Sequence, residues 1–192
     1  MTDEEKKESE EVPVFIDGET ICLVPQNSKH VDLYVKWMND PKVRKFARWE
    51  TPRRVEDVKR WFEPQQGRVS WFIGFEIWHK KDKKPIGQVG LAWIDWINGW
   101  ANAFAYIGEP EYWGQGITTE ATQLLIEYAF NELNLNKLHG GVIVENIGSW
   151  SVAEKCGFKF EGIRKHEMYV DGKYHDTKTY YISKEDWINS KK

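Results

Sequence analysis

The sequence has little cysteine and no long hydrophobic run. Its two cysteines, Cys22 and Cys156, lie far apart among 192 residues, so they do not form a disulfide framework, and no CxxC pair or clustered histidine indicates a metal site. We therefore predict a protein without a bound metal that resides in a reducing cytoplasm. No apolar run approaches the roughly 18 residues needed to cross a bilayer, so no membrane association is expected.

The sequence also lacks an excess of positive charge. Its 27 Lys and Arg are outnumbered by 30 Asp and Glu, which gives a net charge of -3. Because nucleic-acid-binding domains usually carry a basic excess, we expect no nucleic-acid partner. The segment 1–11 is charged and has no apolar centre, which predicts a disordered, solvated head rather than a signal peptide. A single domain is predicted over 12–192.

The apolar pattern alternates between strand-like and helical spacing. Val69–Trp78 and Ile86–Ile97 are rich in β-forming residues, and Asn98-Gly99 predicts a hairpin turn from which Trp100–Ile107 returns antiparallel. This pattern is typical of a mainly antiparallel sheet within an α+β domain.

A helix then connects two strands. Apolar residues recur at helical spacing within Thr119–Leu133, and Leu138–Glu145 reads as the next strand. Because a helix links the strands 101–107 and 138–145, these two strands should run parallel. Local signals elsewhere predict a hairpin over 14–24, followed by a helix capped by Ser28 and a helix with Pro52 in its first turn. Near the end of the sequence they predict a helix over Ser149–Lys155 that ends at Gly157, and a last helix capped by Ser183.

Two glycines lie where the loop after Trp100–Ile107 enters the long helix. Gly114 and Gly116 allow positive φ and close approach of a ligand to the backbone. The unpaired N–H groups and positive dipole end of a helix start suit a phosphate, although the same glycines also fit a plain helix entry. Thr118 or Thr119 could add a hydroxyl donor. The segment matches neither GxxxxGK[ST] nor GxGxxG, which argues against a P-loop or a dinucleotide fold.

Three ordered motifs resemble the GNAT superfamily of N-acetyltransferases. Trp113–Thr118 is similar to the coenzyme A-binding pattern Arg/Gln-x-x-Gly-x-Gly/Ala, with Gly116 at the middle glycine but Trp and Thr at the two ends. Asn146–Phe158 resembles the pattern Asn-x-x-Ser-x-x-x-x-Glu-Lys-x-Gly-Phe. Trp37–Arg44 resembles a segment of the branch that contains ribosomal-protein N-terminal acetyltransferases and spermidine-type relatives. The resemblance spans roughly 13–188.

The resemblance implies a GNAT fold, with helices on both faces of the sheet and acetyl-CoA in a gap between two splayed parallel strands. It implies that backbone groups of two strand residues pair with the pantetheine arm, and that backbone N–H groups of the glycine loop hold the pyrophosphate. It further implies that Asn146 meets the pantetheine arm, while Lys155 either reaches a coenzyme phosphate or lies solvated. The implied strand and loop residues are Tyr106, Ile107, Gly114, Gln115, Gly116, Thr118 and Thr119.

The implied reaction transfers acetyl to a primary amine. A lysine-like amine, with a reference pKa of ~10.4, needs a general base, whereas a peptide α-amine at ~7.7–8.0 needs less help. The backbone N–H of Ile107 is a candidate to stabilise the oxyanion. Ser149 matches the family position near the sulfur and is our candidate proton donor to the thiolate, with an N-cap role as the alternative. Candidate bases, which the sequence leaves unplaced, are Glu76, Asp95, Glu109 and Glu145.

Several alternatives remain open at this stage. The main hypothesis is that the acceptor is the α-amine of a protein or peptide N-terminus. One alternative is a small amine, such as a polyamine or an amino sugar. Another is a non-catalytic coenzyme A-binding module, which would apply if Trp113 blocks the loop.

We interpret Cys156 as a buried small residue, and Trp93, Trp96 and Trp100 mainly as core and cleft wall. The chain is expected to act as a monomer or homodimer.

Overall fold

The computed structural model describes residues 12–47, 49, 51–63 and 70–191. The predicted disordered head, 1–11, lies outside the described residues. Among the described residues, no helix is both long enough and apolar enough to cross a membrane.

One mixed sheet of eight strands organises the described chain, in the order β1-β2-β3-β4-β5-β6-β8-β7. Its neighbouring strands are antiparallel except for β5 and β6, which are parallel as predicted. The strands are β1 (Ile16–Asp17), β2 (Ile21–Pro25), β3 (Phe72–His79), β4 (Lys84–Asp95), β5 (Trp100–Ile107), β6 (Lys137–Ile143), β7 (Lys159–Val170) and β8 (Lys173–Ser183).

Helices cover both faces of this sheet, in agreement with the implied fold. The long helix α4 packs on one face, where Ala121, Leu125 and Ala129 of its predicted apolar stripe are buried and Leu124 and Tyr128 are partly buried. A second cluster, built around Tyr34 and Trp37, packs against Tyr106 on the opposite face. The helices are α1 (Val31–Asn39), α2 (Pro41–Ala47), α3 (Val55–Lys59), α4 (Ile117–Asn131), α5 (Ile147–Lys155) and α6 (Lys184–Ser190).

Two of the predicted helix boundaries are confirmed. Gly157 follows α5 with φ of +87°, and the Ser183 hydroxyl accepts a hydrogen bond from the Asp186 N–H at 3.1 Å. The predicted Ser28 cap was wrong, because the Asn27 side chain accepts from the Lys29 N–H at 3.0 Å instead. Pro52 precedes α3 rather than lying in its first turn, since that helix begins only at Val55.

The two parallel strands form a fork. β5 and β6 pair through only three residues each, ending at Asn102 and His139. Beyond that point β5 stays paired with β4 on its other side and β6 with β8. The backbone edges of 103–107 and 140–143 therefore face one another across a gap, as the family resemblance implied.

The entry to the loop after β5 is tightly packed, which yields a stability prediction. A Cβ added to Gly108 would overlap the Trp37 ring, which is fully buried and has no room to move. Gly108→Ala should lower the free energy of unfolding by about 1–3 kcal/mol, as overpacking typically does, measured by urea denaturation. Gly140→Ala is the matched control, because among the described residues no atom lies within 4 Å of its added Cβ. Equal unfolding midpoints for the two variants would contradict this packing.

Candidate active site

The fork opens into a large cleft. A cavity of about 980 Å³ is lined by the diverging segments 103–106 of β5 and 140–142 of β6, and by side chains from both faces of the sheet. Gly140 adds to the available room, since a Cβ there would meet no described atom within 4 Å. Buried backbone N–H and C=O groups need partners, so the two facing edges are suited to pair with an extended chain that carries amide groups.

The glycine loop forms the entry to α4. Gly114 and Gly116 have φ of +75° and +81°, and among the described residues no atom lies within 4 Å of the position of an added Cβ at either glycine. Gly116 is the N-cap of α4 and no side chain caps the helix, so the first N–H groups keep their capacity to bind an anion. Thr118, in the first turn, lines the cleft. The Gln115 side chain folds back onto the loop and donates to the Glu111 carbonyl at 2.6 Å.

The second motif brings Ser149 to the same cleft. Asn146 caps α5, because its Oδ1 accepts a hydrogen bond from the Ser149 N–H at 3.2 Å. The alternative in which Ser149 is the N-cap is therefore wrong: Ser149 lies within the first turn of the helix. Its side chain is exposed and lines the cleft. Thr118 and Ser149, which are 31 positions apart, thus meet at one cavity.

The remaining predicted ligand residues lie around the cleft rather than along its wall. Lys155 is exposed at the far end of α5, and the neighbouring Cys156 thiol lies 3.6 Å from the Thr119 carbonyl, which puts this end of α5 beside the start of α4. The Ile107 carbonyl already accepts a hydrogen bond from the Trp113 indole at 2.9 Å. Of the predicted site residues, those that line the cavity are Tyr106, Thr118 and Ser149.

Cys156 is buried, in agreement with its interpretation as a small core residue. Burial raises the pKa of its thiol to about 11. Because the thiolate is the nucleophilic form, a thiol of this pKa is a poor nucleophile at neutral pH. The structure therefore favours direct transfer over a covalent cysteine intermediate.

The cleft walls contain none of the four carboxylates proposed as bases. Glu76 is 1% exposed and is bound by the Tyr34 hydroxyl and by His30. Hydrogen bonds from the Asn98 backbone and side chain lower the pKa of Asp95. A hydrogen bond to His175 likewise lowers the pKa of Glu145.

Glu109 is equally unsuited to act as a base. Its carboxylate accepts hydrogen bonds from Lys36 at 2.9 Å and from the Trp37 indole at 2.8 Å. Burial acts to raise its pKa, but these two donors outweigh that effect and hold the pKa below the usual value. A carboxylate stabilised in its charged form is a weaker proton acceptor.

None of Trp93, Trp96 and Trp100 is buried, so the core part of our interpretation was wrong, whereas the cleft-wall part is confirmed for Trp93 and Trp100. Trp93 is 64% exposed and Trp96 is also exposed. Trp93 lies in a β-bulge of β4 with φ of +56°, an uncommon backbone conformation for a large side chain. This conformation presents its ring to Trp71 at a centroid distance of 5.1 Å. Trp71, Trp93 and Trp100 all line the cleft.

Sequence reasoning missed several polar residues of the cleft, among them Gln88, His139, Glu161 and Glu167. Gln88 is almost completely buried and its Oε1 accepts from the Tyr106 hydroxyl at 2.8 Å. Glu161 and Glu167 reach the cleft from β7, and His139 reaches it from β6. The one available signal was period-two alternation, which puts His139 on the face opposite the buried Leu138.

A forked parallel strand pair, a glycine-rich loop at a helix start and a cleft through the sheet together define the GNAT-type acyltransferase fold. The family model of the acetyltransferase (GNAT) domain matches residues 20–159. The chain belongs to this family, so the resemblance inferred from the three motifs is confirmed.

Named relatives include enzymes of two acceptor classes. The chain is 36% identical to the spermidine N(1)-acetyltransferase of Vibrio cholerae over 107 residues, which cover 56% of this chain and 61% of that protein. It is also 36% identical to the "Putative ribosomal N-acetyltransferase YdaF" of Bacillus subtilis over 110 residues, 57% of this chain and 60% of the relative. The chain therefore spans about 60% of the length of each of these two curated relatives.

The fold is also similar to solved structures. The spermidine N-acetyltransferase from Vibrio cholerae in complex with CoA and spermine superposes with a TM-score of 0.80 at 24% identity, covering 88% of this chain and 99% of that one. At this identity the likeness establishes the fold.

Proposed function

We propose that this protein is an acetyl-CoA-dependent N-acetyltransferase that acts on a small primary amine of the polyamine type. The observation that carries this proposal is the convergence of three elements on one cleft: the strand fork, the uncapped start of α4 and the first turn of α5. Free thiols at Cys22 and Cys156 fit a reducing cytoplasm as its location.

The residues present fit the acyl donor. The open cradle at Gly114 and Gly116 leaves space for phosphate groups at the start of α4, where Gln115, Thr118 and Thr119 supply further backbone N–H groups. The fork offers backbone groups of Tyr106 to the pantetheine arm. Asn146 caps the helix that follows β6, and Lys155 lies at the far end of that helix, beside the start of α4. When bound, the donor supplies an acetyl group activated as a thioester.

Ser149 is the proposed proton donor to the departing sulfur. Its helix is capped by Asn146, so the Ser149 hydroxyl is not used for capping. Its exposure within the cleft lets the hydroxyl meet a ligand and exchange its proton with solvent. A positioned hydroxyl of this kind lowers the cost of expelling a thiolate.

The acceptor side of the cleft supports a small polycation. Trp71, Trp93 and Trp100 present aromatic faces, which attract ammonium groups and cover methylene chains. Glu161 and Glu167 add negative charge, partly balanced by ion pairs to Lys137 at 3.2 Å and Arg164 at 2.8 Å. The spermidine N(1)-acetyltransferase relative supports the same acceptor class.

A peptide α-amine is the second candidate. It was our main hypothesis from sequence, and it retains support from the ribosomal N-acetyltransferase-type relative and from the size of the cleft. A non-catalytic coenzyme-binding module has less support, because Trp113 binds the Ile107 carbonyl and is not among the described residues that line the cavity.

The acceptor class is tested by mass spectrometry after incubation with labelled acetyl-CoA. The panel contains linear polyamines, an amino sugar and short peptides with free α-amines. We expect the label on a primary amine of a polyamine, at a rate well above that for the peptides. Label on peptides alone would favour the second candidate, and bound coenzyme without transfer to any amine would favour a non-catalytic module.

The phosphate-binding role of the glycine loop is tested by blocking it. Gly116→Trp should abolish acetyl-CoA binding in isothermal titration, because the indole would fill the space that the glycine leaves open. Gly172→Trp is a matched control: Gly172 has the same φ of +81° and equally open surroundings, but it lies in the turn between β7 and β8. Unchanged affinity in Gly116→Trp would remove the loop from the proposed site.

The role of Ser149 is tested by separating turnover from binding. Ser149→Ala should lower kcat by roughly 10²-fold, within the range for loss of an acid–base group, and leave the Kd for acetyl-CoA within about twofold. Ser151→Ala, in the same helix but not among the residues lining the cavity, is the control and should keep normal kcat. A normal kcat in Ser149→Ala would exclude Ser149 from proton transfer.

A further inference from the structure

The proposed reaction still lacks a proton acceptor. A primary amine with a pKa of ~10.4 is neutral in only about one molecule in 2,000 at pH 7, and none of Glu76, Asp95, Glu109 and Glu145 lines the cleft. A base must therefore come from another side chain whose polar atoms face the point where the strands diverge.

His139 occupies that point. It is the last residue of β6 that pairs with β5, opposite Asn102, and the fork opens immediately after it. It is half-buried and lines the cleft. Its ring meets the Trp100 ring edge-on at a centroid distance of 5.5 Å and an interplanar angle of 89°. This contact keeps the imidazole on the aromatic, acceptor side of the sheet.

The other histidines have different surroundings. His30, His79 and His175 each bind a carboxylate, at 2.7, 2.8 and 2.9 Å respectively. His166 is an exposed residue of β7. Among the described residues, no group forms a hydrogen bond with either ring nitrogen of His139, and the ring contacts Trp100 instead. Its nitrogens are thus available to a ligand in the cleft.

The charges around His139 favour its neutral form. Burial lowers the pKa of His139 below the usual value, and Lys137 and Arg164 lower it further, while Glu161 opposes them. On the facing strands, β5 contributes Trp100, which contacts the imidazole ring, and β8 contributes Tyr181, the register partner of His139. At pH 7 the imidazole is therefore neutral and able to accept a proton.

We propose that His139 is the general base, taking a proton from the acceptor ammonium at the closed end of the fork, where β5 and β6 diverge. This inference rests on the proposed function. The ammonium gives one proton to an imidazole nitrogen, and the neutral amine then forms the N–C bond to the acetyl carbonyl while the C–S electron pair leaves with sulfur. The second amine proton goes to the thiolate through Ser149, and the imidazolium returns its proton to water.

The shape of the pH profile distinguishes a base from a structural residue. With a polyamine acceptor, log kcat/KM of the wild type should rise to a plateau above the depressed pKa of His139. In His139→Asn only pre-existing neutral amine can react, so we expect about a 10²-fold loss at pH 7. In that variant log kcat/KM should climb by about one unit per pH unit towards pH 9, because the neutral fraction of the amine grows tenfold per unit.

Controls separate this role from folding and from coenzyme binding. His139→Asn should keep the wild-type Tm and the wild-type Kd for acetyl-CoA. Added imidazole should restore part of the activity of His139→Gly, where a cavity replaces the ring. His166→Asn, which changes a histidine outside the cleft lining, should behave as wild type throughout.

Each remaining outcome is decisive. A variant with lower kcat/KM but the wild-type profile shape would assign His139 a structural role and overturn the proposal, as would unchanged kcat/KM at pH 7. A wild-type protein that binds acetyl-CoA but acetylates no amine would overturn the proposed function itself, and with it the role of His139.

Discussion

The interruption of the hydrogen-bond ladder between β5 and β6 is the constraint on which the site depends. After Asn102 and His139 the two strands diverge, and each stays in register only with its outer neighbour. A sheet interior that leaves backbone N–H and C=O groups facing a gap needs partners for them. A ligand with its own amides can supply these partners, so binding in the fork completes the pattern that the sheet leaves open.

Under the proposed function, the same divergence determines where the chemistry takes place. α4 begins beyond the open end of β5 and α5 follows β6, so the two helix starts flank the gap between these strands. Thr118 in the first turn of α4 and Ser149 in the first turn of α5 therefore line one cavity although they belong to separate motifs. His139 lies at the closed end of the fork, where a thioester held along the diverging strands would meet an amine arriving from the opposite face.

One wall of the cleft carries exposed aromatic surface, to which the proposed function assigns the acceptor. Trp93 has φ of +56° in a β-bulge, a conformation that costs free energy and is commonly retained where a site requires it. It presents an exposed ring to Trp71 at the cleft. Because the surrounding carboxylates are already engaged by Lys137 and Arg164, aromatic attraction is expected to contribute more to amine recognition than unpaired negative charge.

Local signals in the sequence determined the elements and located the two family motifs at the starts of α4 and α5. The bounds of β5, the apolar stripe of α4, the turn at Gly99 and the ends at Gly157 and Ser183 depend on spacing within a few residues, and all were predictable. The resemblance to the GNAT family, and with it the fork, followed from three ordered motifs. The chain's own helix starts at Gly116 and Asn146 could be located within one or two residues.

Only the tertiary structure decided which polar side chains face the cleft. Glu109 was an attractive base until Lys36, 73 positions earlier, was found bound to it, and Glu76 is held by Tyr34 from another element. The surroundings of His139 come from the fold: its ring contacts Trp100 on β5, and its pKa is lowered by burial and by Lys137 and Arg164. Local sequence patterns reflect neighbours within a turn or a strand, whereas the burial and charge that set a group's chemistry come from residues brought together by the fold.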